Sequence, residues 1–394
     1  MDGRALGNNV NFENTRGDLM KILIVMSGFF PGQKYGGPPV SVDNLCTLME
    51  DQDFYIVTRN HDLGENTAYS DIQPGWNNCN NCRVLYLSDK EYGYKNFGRI
   101  IEKVKPDVIY LQGLFQKCIL PCLVLAKKNN VPVMLAPRGE LCAGAFKKKY
   151  KKIPYIAFLK LFGLLKNVYF QSTSDEETLA IEHFLNVKSE KVFLLNNVPS
   201  IPKSKNFCTK KQPGKASFIF LSRIVPKKNL LSAINYMAGI HGTVQFDIYG
   251  AIEDKSYWEK CKNQIDQLPL NIKVEYKGLI NHNQVHDTFR RYDAFLFPTY
   301  SENFGHVIAE ALMVGCPVII SDQTPWTDVT KAEAGWAIPL NKKEEFKKCI
   351  ETVINWTDKD SIKIYQNAIK YIEEKSQLKK LKDEYNRCLN RIIL

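Results

Sequence analysis

Short apolar runs alternate along the chain with amphipathic segments of helical period, and the alternation stops near the middle and then begins again. Lys21–Met26, Phe54–Thr58, Val84–Leu87, Val108–Leu111, Val133–Ala136 and Val192–Leu195 read as the strands of a first series. Phe218–Leu221, Phe246–Tyr249, Val274–Tyr276, Ala294–Phe297 and Val318–Ser321 read as those of a second. Apolar strands separated by helices, such as the one expected over Val40–Glu50, predict a parallel sheet covered on both faces. Two series predict two doubly wound, Rossmann-like α/β domains, over residues 20–198 and 217–375. Residues 199–216 hold Pro199, Pro202, Pro213, Gly214 and several lysines without periodicity, the composition of a linker. Residues 362–394 are charged and helical in pattern, and a last helix over 376–394 is expected to reach back across the cleft. A length of 394 residues agrees, being too much for one ordinary core. Sheets of this kind bind ligands outside the carboxyl ends of their strands, so function belongs in the cleft between the domains.

Neither opening strand runs into Gly-x-Gly-x-x-Gly, and Gly-x4-Gly-Lys-Ser/Thr is absent, which removes the main support for a dinucleotide oxidoreductase or a P-loop enzyme. The chain is 44% hydrophobic and 24% charged without low-complexity tracts, the balance of a folded domain. No stretch reaches the roughly 20 apolar residues of a spanning helix; Ile153–Leu165 is broken by Lys160. Residues 1–19 are polar and lack the apolar centre of a signal peptide, so they read as a disordered leader, with Met20 as the true start. A cytoplasmic location follows as an expectation. Among eleven cysteines, Cys46, Cys118, Cys122 and Cys316 sit in apolar runs and read as reduced core thiols. Cys79-Asn-Asn-Cys82 has metal-ligand spacing but no second pair follows, and the six histidines, His183 and His241 among them, form no spaced ligand set. Asp51-Gln52-Asp53 precedes a strand, away from the cleft, and reads as a surface turn. No metal or other cofactor is expected.

The net charge of +11 is concentrated, because Ile101–Phe170 holds thirteen Lys and Arg against Glu102, Asp107 and Glu140. Lys147–Lys152 is a cationic cluster that leads into the apolar Ile153–Leu165. Two readings stand: a surface suited to an anionic membrane on its cytoplasmic side, or a buried helix with a solvated lysine flank. Nucleic acid is not an expected partner, since no binding motif accompanies the charge.

The strongest local signal is Ser301-Glu302-Asn303-Phe304-Gly305-His306, continuing to Glu310 and then Gly315-Cys316-Pro317-Val318-Ile319. A strand end, a turn and a helix starting near Gly305 place Glu302 before the helix and Glu310 within it. One carboxylate can then accept from sugar hydroxyls and the other from a ribose diol, while the amides carried by Asn303, Phe304 and Gly305 favour an anion or a polar ligand. The plain alternative is that Glu302 caps the helix and Glu310 pairs with His306. Phe220-Leu-Ser-Arg223-Ile-Val-Pro-Lys-Lys228-Asn229 adds two cations after a strand, or simply a basic turn. Gly36-Gly37-Pro38-Pro39 is a turn whose glycines permit close backbone approach.

The Glu-x7-Glu followed by Gly-x-Pro-Val-Ile resembles the signature of glycosyltransferase family 4, and the likeness extends over nearly the whole chain from Met20. The resemblance implies the GT-B architecture and retention of anomeric configuration. It puts Glu302 beside the donor sugar and Glu310 on the nucleotide ribose. Arg223 and Lys228 match its Arg-x4-Lys diphosphate clamp, with Asn229 where glycine is more usual, and Gly36-Gly37 its turn facing diphosphate and acceptor. At Ala136-Pro137-Arg138-Gly139-Glu140 many members carry a histidine that is absent here. The Pro-Arg-Gly sequence resembles instead a subgroup concerned with O-antigen, capsule and exopolysaccharide assembly, which gives Arg138 to the acceptor side. The implied reaction moves a hexose-type sugar from a nucleoside diphosphate sugar to a lipid-linked oligosaccharide, the departing diphosphate taking the proton in a closed cleft. Rival readings are a sugar-nucleotide epimerase or hydrolase of the same architecture, and a non-catalytic nucleotide-sugar-binding subunit of a membrane assembly complex.

Overall fold

A computed structural model describes residues 19–79, 81–142, 149–202 and 211–393, the side chains of residues 149 and 151 excepted. The sequence reading of residues 1–19 as a leader thus falls almost wholly outside the described residues, as do much of the linker and Lys147 and Lys148. The element order is β1 (Lys21–Val25), α1 (Gly37–Leu48), β2 (Asp53–Arg59), β3 (Trp76–Cys79), β4 (Cys82–Leu87), α2 (Tyr94–Val104), β5 (Val108–Gln112), α3 (Ile119–Asn129), β6 (Val133–Ala136), α4 (Lys149–Leu161), β7 (Val168–Ser172), α5 (Asp175–Leu185) and β8 (Val192–Leu194). A second series follows: β9 (Lys215–Leu221), α6 (Leu230–Met237), β10 (Thr243–Tyr249), α7 (Lys255–Ile265), β11 (Ile272–Gly278), α8 (Val285–Phe289), β12 (Ala294–Phe297), α9 (His306–Met313), β13 (Val318–Ser321), β14 (Gly335–Ile338), α10 (Lys343–Ile354), α11 (Asp358–Ser376) and α12 (Leu378–Ile393).

The first sheet has the order β3-β4-β2-β1-β5-β6-β7-β8, parallel except for β3, which pairs antiparallel with β4. Its two faces can be read off the strand period. Leu23, Val25, Ile109 and Leu111 point into one core layer, and Ile22, Ile24, Val108 and Tyr110 into the other. The second sheet, β11-β10-β9-β12-β13-β14, is wholly parallel and shares one continuous core with its helices. Both domains are therefore doubly wound, and the carboxyl ends of β1, β5 and β6 face those of β9, β10 and β12 across a cleft.

Three strands lie outside the sequence reading: the hairpin strand β3, β7 and the edge strand β14. Cys79 and Cys82 form the cross-strand pair that closes the β3–β4 hairpin, and their thiols are free. Helix α1 begins at Gly37, three residues before Val40, because Pro38 and Pro39 occupy the first turn, where a missing N–H costs nothing. Asp53 binds Arg83 at 2.9 Å and Asp51 binds Lys382 at 3.0 Å, both at the amino end of β2 and away from the cleft. Helix α12 leaves the second domain and packs Leu381, Tyr385, Cys388, Leu389 and Ile392 into the first domain's core beside Ile22, Ile24 and Phe54. No helix of the described residues is long and apolar enough to cross a membrane.

Candidate active site

Strand ends and the turns after them put the polar residues of both domains around one cavity of about 510 Å³. Gly36, Gly37, Arg138, Arg223, Lys228, Glu302, Asn303, Phe304, Gly305 and Glu310, the residues that sequence alone singles out, all line it.

On the second domain, β9 ends at Leu221 and the chain turns through Ser222 and Arg223 against Gly250, at the end of β10. A Cβ on Gly250 would stand 1.8 Å from the carbonyl oxygen of Ser222, so only glycine allows the two turns this approach. Pro226–Lys228 then forms a single 3₁₀ turn, and Asn229 takes φ +59° at the start of α6, the conformation that favours glycine or asparagine. Its amide donates to the carbonyl of Pro298 at 2.8 Å, and the Tyr300 N–H donates to the Lys227 carbonyl at 3.0 Å. These bonds fasten the cationic turn to the turn after β12, and Lys228 Nζ pairs directly with Glu302 Oε1. Burial pulls the Lys228 ammonium below the usual lysine range, the Glu302 carboxylate opposing that. Arg223 pairs with Glu253 at 3.1 Å at the more exposed side.

Glu302 does not cap α9. Gly305 holds that position at φ +77° without a side-chain bond, and Gly305, His306 and Val307 at the start of the helix line the cavity. Nor does Glu310 pair with His306. It is buried on α9, its Oε1 3.7 Å from His282 Nδ1, and burial raises its carboxyl to about 7. His282 stacks on Phe30 of the first domain with ring centroids 4.6 Å apart, and its Nε2 lies 3.9 Å from Asp43 on α1. Burial lowers the His282 imidazole below its ordinary value.

His306 instead reaches across the cleft. Its Nε2 lies 2.7 Å from Ser41 Oγ on α1; Ser41 donates to Asn197 Oδ1 at 3.3 Å, and Asn197 in turn accepts from Arg138. Arg138 has φ +57°, and its guanidinium is held at the back by Gln112, 2.8 Å from Nε, and by Tyr110. Burial holds the His306 imidazole neutral, down to about 3, and its Nδ1 has no partner among the described residues. A Cβ on Gly37 would lie 3.2 Å from His306 Cδ2, so the glycine turn is also where α1 and α9 approach each other. The turn is tied down from behind by Asp62, which accepts the N–H groups of Gln33 at 2.9 Å and Lys34 at 3.2 Å. His282, Ser41 and Asn197 carry no local sequence signal, and His306, inside the motif, reads there only as a partner for Glu310; the meeting of the two domains reveals the role of all four. His183 and His241 are exposed and take no part.

Among the described residues no three His, Cys, Asp or Glu side chains converge to hold a metal ion. Fixed positive charge at Arg223 and Lys228 plus helix amides suits a diphosphate, and the acidic pair suits hydroxyl groups.

Residues 203–375, the second domain, match the family described as Glycosyl transferases group 1. A 2-deoxystreptamine N-acetyl-D-glucosaminyltransferase of Niallia circulans is 29% identical over 119 residues, 29% of this chain. The match spans 30% of that relative's length. Anabaena HepE, solved with UDP and glucose, superposes with a TM-score of 0.67 at 15% identity, covering 94% of this chain and 100% of that one. A glycosyltransferase of Rickettsia africae gives 0.66 at 15%, covering 95% and 99%. The chain has the two-domain GT-B fold.

Proposed function

We propose that the chain is a retaining glycosyltransferase that moves a hexose-type sugar from a nucleoside diphosphate to a hydroxyl of a lipid-linked surface-polysaccharide precursor, without a metal. The observation that carries it is the convergence of the Arg223 and Lys228 cations with Glu302 and Glu310 in one interdomain cavity, on a domain that matches a glycosyltransferase family. In this reading the diphosphate replaces Glu302 as the partner of Lys228. Glu302 is thereby released to accept from the sugar hydroxyls, and buried Glu310 accepts from the ribose diol. Breaking the anomeric C–O bond leaves charge on the diphosphate, which two cations and the first-turn amides of α9 stabilise by about 1.5–3 kcal/mol per charged hydrogen bond. The acceptor oxygen forms the new bond on the same face, its proton passing to the departing phosphate oxygen. Arg138, on the other wall, positions the acceptor. The concentration of lysines on the first domain supports a lipid-linked acceptor at the cytoplasmic membrane surface.

Thermal unfolding with UDP, GDP, ADP, CDP and dTDP, each with and without EDTA, tests the donor site. One diphosphate at about a hundred times its Kd should add about 2.7 kcal/mol, a readable shift, and EDTA should not abolish it. Glu302→Ala should keep that shift and lose transfer by a factor on the order of a hundred or more. No shift with any of the five, or turnover by Glu302→Ala at the native rate, refutes the assignment.

A further inference from the structure

Helix α4, between β6 and β7, is amphipathic the wrong way for a helix facing water. Ile156 and Leu159 are buried in the first domain's core, yet Ile153, Phe158, Leu161 and, just past the helix end, Phe162 are 50%, 40%, 83% and 54% exposed. At 3.6 residues per turn these four, with Ala157 among them, spread over the half of the helix opposite Ile156 and Leu159, a broad outward stripe. Phe158 and Phe162 pack against each other on it, their rings tilted by 42° with centroids 4.5 Å apart. A helix covering a core presents polar residues outward, and a contiguous stripe of large apolar groups marks a contact surface.

The stripe has a cationic rim. Lys160 is exposed on the helix itself, and Lys127 places its ammonium against the far end by donating to the Phe162 carbonyl at 2.9 Å. Lys128 and Lys166 are exposed nearby in the chain, and Lys191 donates to the Lys166 carbonyl. Asp175 and Glu176 at the start of the neighbouring α5 are exposed, as is Glu190 beside Lys191, and Glu140 is turned inward, accepting from the Leu114 and Phe115 amides. Apolar side chains with a lysine border match an anionic lipid surface: the former enter the acyl boundary while the ammonium groups stay at the phosphates. A 13-residue helix is about 20 Å long, which suits lying in that interface rather than crossing it.

Lys152 on the first turns of α4 donates to the Glu140 carbonyl at 2.9 Å, and Tyr155 packs on Phe115 at 5.8 Å. Glu140, with Gln112, Gln116 and Arg138, walls a second, smaller cavity of about 200 Å³ at the carboxyl ends of β1, β5 and β6. We infer that the outward face of α4 docks this protein on an anionic bilayer and thereby holds that polar cavity at the lipid surface. The docking stands on the helix alone; only the reason for it, delivery of a lipid-borne acceptor, rests on the proposed function.

Flotation of the full chain with phosphatidylcholine vesicles, with and without about 30% phosphatidylglycerol, tests it. The protein should float with the anionic vesicles and be released by salt. Leu161→Glu with Phe162→Glu should abolish flotation, and Lys127→Glu with Lys160→Glu should weaken it by about tenfold or more, at roughly 1 kcal/mol per lysine. All variants should keep the wild-type thermal midpoint and the nucleoside diphosphate shift. Failure of the wild type to float overturns the inference, as does equal flotation of the Leu161/Phe162 variant. So does a dimer in solution that this variant breaks, since the stripe would then be covered by a second copy. Flotation in the absence of any nucleotide shift would refute the proposed function and leave the docking intact.

Discussion

Glu310 and His306 share one helix and one cause, burial, yet it drives their titration in opposite senses. The carboxyl of Glu310 is raised from 4.5 to about 7. Between those values the native state keeps a proton that the unfolded chain has released, so this contribution to stability is complete below about pH 4.5 and declines as the pH rises to about 7, by about 3 kcal/mol in all. The imidazole of His306 is lowered from 6.5 to about 3, so below about pH 6.5 the unfolded chain takes up a proton that the native state refuses, and stability falls on acidification. His282, lowered likewise by burial and lying 3.7 Å from Glu310 and 3.9 Å from Asp43, works in the same direction as His306. In the wild type these trends partly cancel across the window. Glu310→Gln removes only the first, so the variant's stability relative to wild type should grow by about 2 kcal/mol between about pH 5 and pH 7.5, read by urea unfolding. A difference that stays flat across this range would mean that Glu310 ionises as an ordinary surface glutamate. The functional corollary is that a diol donating two hydrogen bonds to the carboxylate favours its ionised form, so nucleotide binding should release protons near neutrality.

Helices α1 and α9 are the elements that make two domains into one site, and their approach is set by a residue with no side chain. Gly37→Ala would bring a methyl to 3.2 Å from His306 Cδ2, too close unless α1 moves back by a few tenths of an ångström. That shift lengthens the Ser41–His306 bond and separates the glycine turn from the cations opposite. Nucleoside diphosphate affinity should fall about fivefold or more by calorimetry, an effect of about 1 kcal/mol, while the thermal midpoint of the unliganded protein moves by only a few degrees. Unchanged affinity would show that the turn does not face the ligand. The same elements show how far the sequence is legible. Central strands announce themselves as apolar runs because both their faces are buried, whereas β3, Trp-Asn-Asn-Cys, is a partly exposed edge and β14 begins with glycine. Strand β7 ends in Gln171 and Ser172, buried polar residues that bond the chain around them and blur the pattern. Within the cleft, the ten lining residues named from sequence belong to local motifs with fixed spacing. His282, Ser41 and Asn197 do not, since an isolated histidine or serine reads the same whether it faces solvent or another domain, and His306, though inside the Glu302–Glu310 motif, reads there only as a partner for Glu310.

At the scale of the molecule, the chain crosses between the domains twice, once through the linker and again by way of α12. The second crossing is a structural part of the first domain. Leu381, Tyr385, Cys388, Leu389 and Ile392 fill one of its two core layers, and burial of such side chains at about 1.5–3 kcal/mol each amounts to roughly 10 kcal/mol, the size of a domain's whole stability. Tyr385 also extends this support to the site: its hydroxyl accepts from Gln171 at 2.8 Å and donates to the Asn196 carbonyl at 3.1 Å, one residue before the asparagine that holds Ser41 and Arg138. Ending the chain at Ser376 should therefore unfold or melt the first domain while the second, with its own sheet and core, persists. Calorimetry should then show one reduced transition in place of the wild-type profile, and near-ultraviolet dichroism should lose part of its amplitude. A truncated chain that unfolds within a few degrees of the full one would make α12 an appendage, and the placement of Asn197 would then have to come from β8 and the linker alone.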